Sequence, residues 1–165
     1  MRISIVTSVA LVATLLFLYK ASAAGIDLHW LWDNQCAECH GHSGDFARKF
    51  LQADDGQLEG RHHTEDLRRF MRNHYATEIE VDAIYEMLLA QTETEPRFKQ
   101  ECGRCHGTAA RFVRQTIVLQ KGVPLSRKSG QDIRRFMDQH RGLQKEDAEF
   151  FTALLYRIAR EVLRP

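Results

Sequence analysis

The sequence is short of charge of either sign in excess: 23 Lys and Arg stand against 22 Asp and Glu, a net +1. Arg2 and Lys20 belong to a segment read below as a leader. The mature surface is therefore expected to be near neutral, which argues against the basic footprint of a nucleic-acid-binding protein. The chain also lacks any sustained alternation of apolar and polar residues, the period that a half-buried strand requires. Beyond Tyr19 no apolar stretch is long enough to span a bilayer, so the working part of the chain is expected to be soluble. Cysteine is sparse as well. There are four, and they are not spread as a disulfide framework would spread them.

What is present begins with Arg2 ahead of an apolar stretch from Ile3 to Tyr19, followed by Ala21-Ser22-Ala23. Small residues at that spacing are what signal peptidase requires. Residues 1–23 are thus read as a signal peptide and the protein as exported to the periplasm, with an uncleaved N-terminal membrane anchor as the alternative.

Cys102 lies 66 residues after Cys36, and sliding the second half back by that interval matches far more than cysteine. Gly41 meets Gly107, Phe46 meets Phe112, Arg61 meets Arg127 and His74 meets His140. The run from Asp66 to Met71 meets that from Asp132 to Met137. Such a match without gaps is an internal duplication. It divides the mature chain into units 24–93 and 94–165, joined through the polar, proline-ended stretch Thr92 to Pro96.

Apolar residues recur at helical spacing in both units. Val81, Ile84, Tyr85, Leu88 and Leu89 form one stripe, Phe151, Leu154, Leu155 and Ile158 its counterpart, and Leu67, Phe70, Met71 and His74 another. The expected fold class is therefore all-α, two tandem helical units, with Gly56 and Gly122-Val123-Pro124 marking an irregular middle in each. Units of this size are near the limit at which a hydrophobic core alone sustains a fold. A large apolar cofactor would complete each one.

The cysteines fall as Cys36-Ala37-Glu38-Cys39-His40 and Cys102-Gly103-Arg104-Cys105-His106. Residues three apart in a helical turn share a face, so two thiols at this spacing can reach the two vinyl groups along one edge of a haem, with the next histidine held beneath the iron. The expected cofactors are two covalently bound haem c groups. Cys36 and Cys39 would attach one, Cys102 and Cys105 the other, with His40 and His106 as proximal metal ligands. A zinc ribbon would need its two cysteine pairs closer together, and a thioredoxin-type dithiol would need alternating strands and helices.

For the far side of each iron, His29, His42, His62 and His63 are set aside because none has a histidine counterpart in the second half. That leaves His74 with His140, and Met71 with Met137. Both pairs lie on one helical face, so spacing alone does not choose between them.

CAECHG and CGRCHG resemble the haem-attachment sites of c-type cytochromes, and the two units resemble a diheme cytochrome c over nearly all of the mature chain. Bis-histidine diheme cytochromes are similar in ending a short helix on a histidine ahead of a longer amphipathic one, which implies His74 and His140 as distal ligands. The proline that follows the methionine ligand in monohaem relatives is absent here. Arg61 and Arg127 are the expected partners of haem propionates, because a guanidinium fork suits a carboxylate. The resemblance implies an electron carrier with no catalytic residues of its own. Its partners would be a redox protein donor and acceptor, a membrane-bound oxidoreductase among them. A small haem enzyme, peroxidase-like or an oxidoreductase subunit, and a haem-based sensor with one open coordination position are the competing expectations.

Overall fold

The computed structural model describes residues 25–62, 66–74, 76–140 and 142–164. The expected signal peptide lies outside these residues, as does His63. Chain order begins with α1 (Leu28–Gln35), whose start is fixed by Asp27, its carboxylate accepting the Trp30 N–H at 2.9 Å. Helices α2 (Ala37–His40) and α3 (Ser43–Phe50) follow. A hairpin comes next, β1 (Leu51–Asp54) and β2 (Gln57–Gly60), then α4 (Leu67–Arg72) and the long α5 (Glu78–Glu93).

The second unit repeats this order. A π-helical turn (Phe98–Cys102) stands where α1 stood, followed by α6 (Gly103–His106) and α7 (Ala109–Thr116). The hairpin β3 (Ile117–Gln120) and β4 (Val123–Ser126), α8 (Ile133–Met137) and α9 (Lys145–Val162) complete it. The duplicated aspartates explain two of the matching helix starts. Asp66 accepts the N–H groups of Arg68 and Arg69 at the head of α4, and Asp132 accepts that of Arg134 at the head of α8.

The all-α expectation is corrected by the two hairpins. β1 pairs antiparallel with β2 and β3 with β4, in equivalent registers: Leu51 faces Gly60 and Ile117 faces Ser126. Asp55 and Gly56 turn the first with φ of +44° and +72°, Lys121 and Gly122 the second with +50° and +78°. Two successive left-handed residues make the tight turn whose twist matches that of paired strands. Gly56 and Gly122 are therefore hairpin glycines. The strands escape the periodicity test because each has only four residues, too few to show an alternation.

Each unit has its own core. Leu28, Leu31, Trp32, Ala47, Leu51, Ile84, Tyr85 and Leu88 pack together in the first, and Phe98, Val113, Ile117, Ile133, Met137, Phe151, Leu155 and Ile158 in the second. The hydroxyl of Tyr85 accepts the Leu58 N–H at 2.7 Å, tying the first hairpin to α5. Among the described residues no helix is long and apolar enough to cross a membrane.

The units are not separate in space. Helix α1 of the first packs against α9 of the second, and charged contacts fasten the units, among them Lys99 to Asp45 at 3.1 Å. Arg114 grips Asp27 through two hydrogen bonds, of 2.6 and 3.0 Å. Deeper in, the imidazole of His29 donates to Glu161 at 2.8 Å with both side chains buried, and Arg157 donates to the other oxygen of the same carboxylate at 2.7 Å. Burial alone would push the Glu161 carboxyl up, but the bonds from His29 and Arg157 outweigh it and hold the group below its ordinary value.

A carboxyl whose pKa is depressed by folding contributes stability above its unfolded pKa, about 4.3, and loses that contribution as pH falls through the lower folded value. Glu161→Gln is therefore expected to cost about 2 kcal/mol near pH 7, with the difference from the parent protein closing in acid. Urea denaturation across pH checks this. Parallel stability curves for the two proteins would contradict it.

Candidate functional site

Helix α2 ends on His40 because the next residue, Gly41, adopts φ +68° and ψ −157°, a conformation that side chains other than glycine's seldom reach. Gly107 ends α6 after His106 in the same way, at φ +71° and ψ −141°. Each break leaves the histidine at the rim of its unit. The ring of Phe46 from α3 meets His40 edge-on at 4.7 Å between centroids, and Phe112 from α7 meets His106 edge-on at 4.8 Å. Behind them Trp32 packs on Phe46 at 5.4 Å, and Phe98, its counterpart in the duplication, lies 5.9 Å from Phe112. Trp32 also donates its indole N–H to the Gly41 carbonyl at 2.8 Å, a bond that phenylalanine at position 98 cannot make.

The histidines that follow α4 and α8 come back to face these. His74 stands with its ring centroid 5.9 Å from that of His40, and His140 stands 6.1 Å from His106. Burial holds the His40 imidazole below its usual value, and the neighbouring His74 adds to the effect. The Cys36 thiol is pushed up by burial first and by the Glu80 carboxylate second.

In the first unit a cavity of about 490 Å³ collects Cys36, Cys39, His40, Met71 and His74 against an apolar wall that includes Leu67, Ile84 and Leu88. In the second, a cavity of about 500 Å³ is lined by Phe112, Ile133 and Phe136, the equivalents of Phe46, Leu67 and Phe70, together with Arg127 and Leu155. Met71 lines the first cavity, whereas Met137 is buried in the second core; the residues lining the second cavity do not include Met137, Cys102, Cys105, His106 or His140. The expected site residues of the first unit thus stand together, with the exception of Arg61. That side chain donates to the Arg48 carbonyl at 3.3 Å, and Arg127 donates to the Arg114 and Ile117 carbonyls at 3.2 and 2.9 Å. Both arginines fasten the end of a helix to its hairpin, and Arg127 also borders the second cavity.

The cofactor expectation, two covalently bound haem groups with their irons, is corrected on the donor set. Among the described residues no group of three or more His, Cys, Asp or Glu side chains is arranged to hold a metal ion. All four cysteines stand outside disulfides. The physical reason is that each unit opposes two imidazoles and stops there. The cysteine pair of the first unit lines the same cavity without closing a third donor onto that axis. The described residues build a two-sided seat and compose no metal-binding group by themselves.

Sequence reasoning missed the aromatic neighbours of the imidazoles. Phe70 is stacked on His74 and Phe136 lies tilted against His140, and the signal was their spacing, four residues ahead on a helical turn. It also missed His29, set aside for want of a counterpart, which fastens the units together. Comparison with protein-family models, with curated proteins and with solved structures found no match to this chain.

The indole bond to Gly41 holds the residue that ends α2, so Trp32→Phe is expected to destabilise the protein by about 1 kcal/mol while keeping the ring packing on Phe46. Denaturant titration measures it. A variant as stable as the parent would show that the Gly41 carbonyl finds another donor at no cost.

Proposed function

We propose that this chain is an electron carrier of the periplasm, as the diheme c-type cytochromes that its two motifs resemble are, with one redox centre in each unit. The observation that carries this reading is the doubled apposition of imidazoles: His40 with His74 at 5.9 Å and His106 with His140 at 6.1 Å. A pair of rings separated by that distance suits two ligands on opposite sides of one centre. His74 and His140 are then the distal ligands, Met71 is a packing residue of the first cavity wall and Met137 one of the second core.

A centre with a protein ligand on both sides has no position left for a substrate, which favours carriage of electrons over turnover. The side chains do three things in this reading. They fix two imidazoles, surround the seat with apolar groups, and leave its rim open, with Cys39 and Cys105 exposed and His40 and His106 half-buried. A seat so close to the surface shortens the path to a donor or an acceptor protein. The near-neutral net charge of +1 leaves docking to local patches rather than to the field of the whole molecule.

Potentiometric titration of the exported protein tests the proposal. Two one-electron transitions are expected. His74→Ala should alter the first unit's transition and His140→Ala the second's, while Met71→Leu leaves both in place. A protein that takes up no electrons, or a titration disturbed by the methionine change alone, would overturn the assignment.

A further inference from the structure

A third cavity, of about 470 Å³, lies between the units, and its described lining includes none of the cysteines and none of the four facing imidazoles. Its wall is drawn from equivalent positions of the duplication. Asp45 and Arg111 line it from the first turns of α3 and α7, and Gln91 and Arg157 from the long helices α5 and α9, each pair 66 residues apart. Phe98, Leu154 and Ile158, all buried, give it an apolar surface. The volume falls within the roughly 300–1,000 Å³ of small-molecule sites.

Several polar groups of this wall are already paired. Asp45 accepts from Arg48 at 3.0 Å and from Lys99 at 3.1 Å, and Arg157 donates to Glu161 at 2.7 Å. Others are left over. Gln91 is 6% exposed, yet its Oε1 has no hydrogen-bond partner among the described residues, and leaving a buried carbonyl oxygen without a donor is costly. The carboxylate of Glu95 and the guanidinium of Arg111, both in the lining, form no ion pair among the described residues. The Arg111 side chain lies back over Gly107, itself in the wall: a Cβ on that glycine would stand 3.6 Å from the Arg111 Cδ. Thr108 caps α7 by accepting the Arg111 N–H at 3.2 Å, so the amides of Ala109 and Ala110, also in the lining, have no acceptor within the helix.

These leftover groups match the parts of one kind of molecule. A carboxylate answers the Arg111 fork and the start of α7. An ammonium, with three donors, answers the Gln91 Oε1 and the Glu95 carboxylate. An apolar side chain answers Phe98, Leu154 and Ile158. We propose that the cavity between the units is a binding site for a free amino acid with an apolar side chain. A simple anion would satisfy Arg111 alone, and a neutral apolar molecule would leave Arg111, Glu95 and Gln91 as they are. The proposal stands apart from the electron-transfer reading, and its failure would leave that reading untouched.

Equilibrium dialysis of the exported protein against radiolabelled leucine and phenylalanine tests it, with N-acetyl-phenylalanine and phenylalaninamide as competitors that lack the ammonium and the carboxylate in turn. At least one of the two amino acids is expected to bind, and both derivatives to compete about tenfold or more weakly than phenylalanine itself. Arg111→Gln and Gln91→Met should each weaken binding about tenfold, with circular dichroism unchanged. Arg111 is exposed, so its variant keeps the test open should Gln91→Met fail to fold. No binding of either amino acid to the folded parent, derivatives that compete as well as phenylalanine, or folded variants that bind as the parent does would each overturn the proposal.

Discussion

The facing of His40 on His74, repeated in His106 on His140, is the constraint to which the rest of each unit answers. Two imidazoles more than thirty positions apart in the chain meet within about 6 Å of one another. That requires one helix to stop sharply, and Gly41 and Gly107 stop it. It requires a short helix to begin at a fixed place, and the caps Asp66 and Asp132 begin it. Between those points the hairpins reverse the chain over a few residues, bringing α4 and α8 back over the rim. The long helices α5 and α9 then close the floor from beneath. Change in any of these would be felt as a change in the distance between two rings.

The duplication makes this economy visible. Where the halves agree, they agree on the features that surround the rings: the glycine after His40 and His106, the edge-on phenylalanine, the capping aspartate and the phenylalanine beside His74 and His140. Where they differ, the differences serve the join. Helix α1 has the Asp27 and His29 side chains that reach Arg114 and Glu161 of the second unit, while its counterpart is a π-helical turn with neither. His29, which has no histidine counterpart in the second half, is one of the residues that hold the two units together.

Much of this was legible from residue order, and what was not has physical causes. The helical stripes and the duplicated unit follow from spacing along the chain, because period and interval are properties of the sequence itself, while His74 and His140 were singled out over Met71 and Met137 only through the resemblance. The hairpins did not follow, since four-residue strands carry too little alternation to register, although Asp55-Gly56 was a turn signal. Arg61 and Arg127 illustrate a different limit. Their chemistry suits a carboxylate fork, yet both donate to backbone carbonyls at the ends of α3 and α7, a demand that depends on where the helix ends and not on the arginine. Stacking of Phe70 on His74 needed the rotamers of both side chains, which an i, i+4 interval permits without requiring.

The reading of these seats as closed, two-sided and electron-carrying is tested most directly by rapid mixing of the exported, reduced protein with small redox mediators and, separately, with hydrogen peroxide. Fast exchange with the mediators and no saturable consumption of peroxide is the expected result. Saturable, enzymatic turnover of peroxide would contradict it, because a seat with an imidazole on each side has no position at which peroxide could bind.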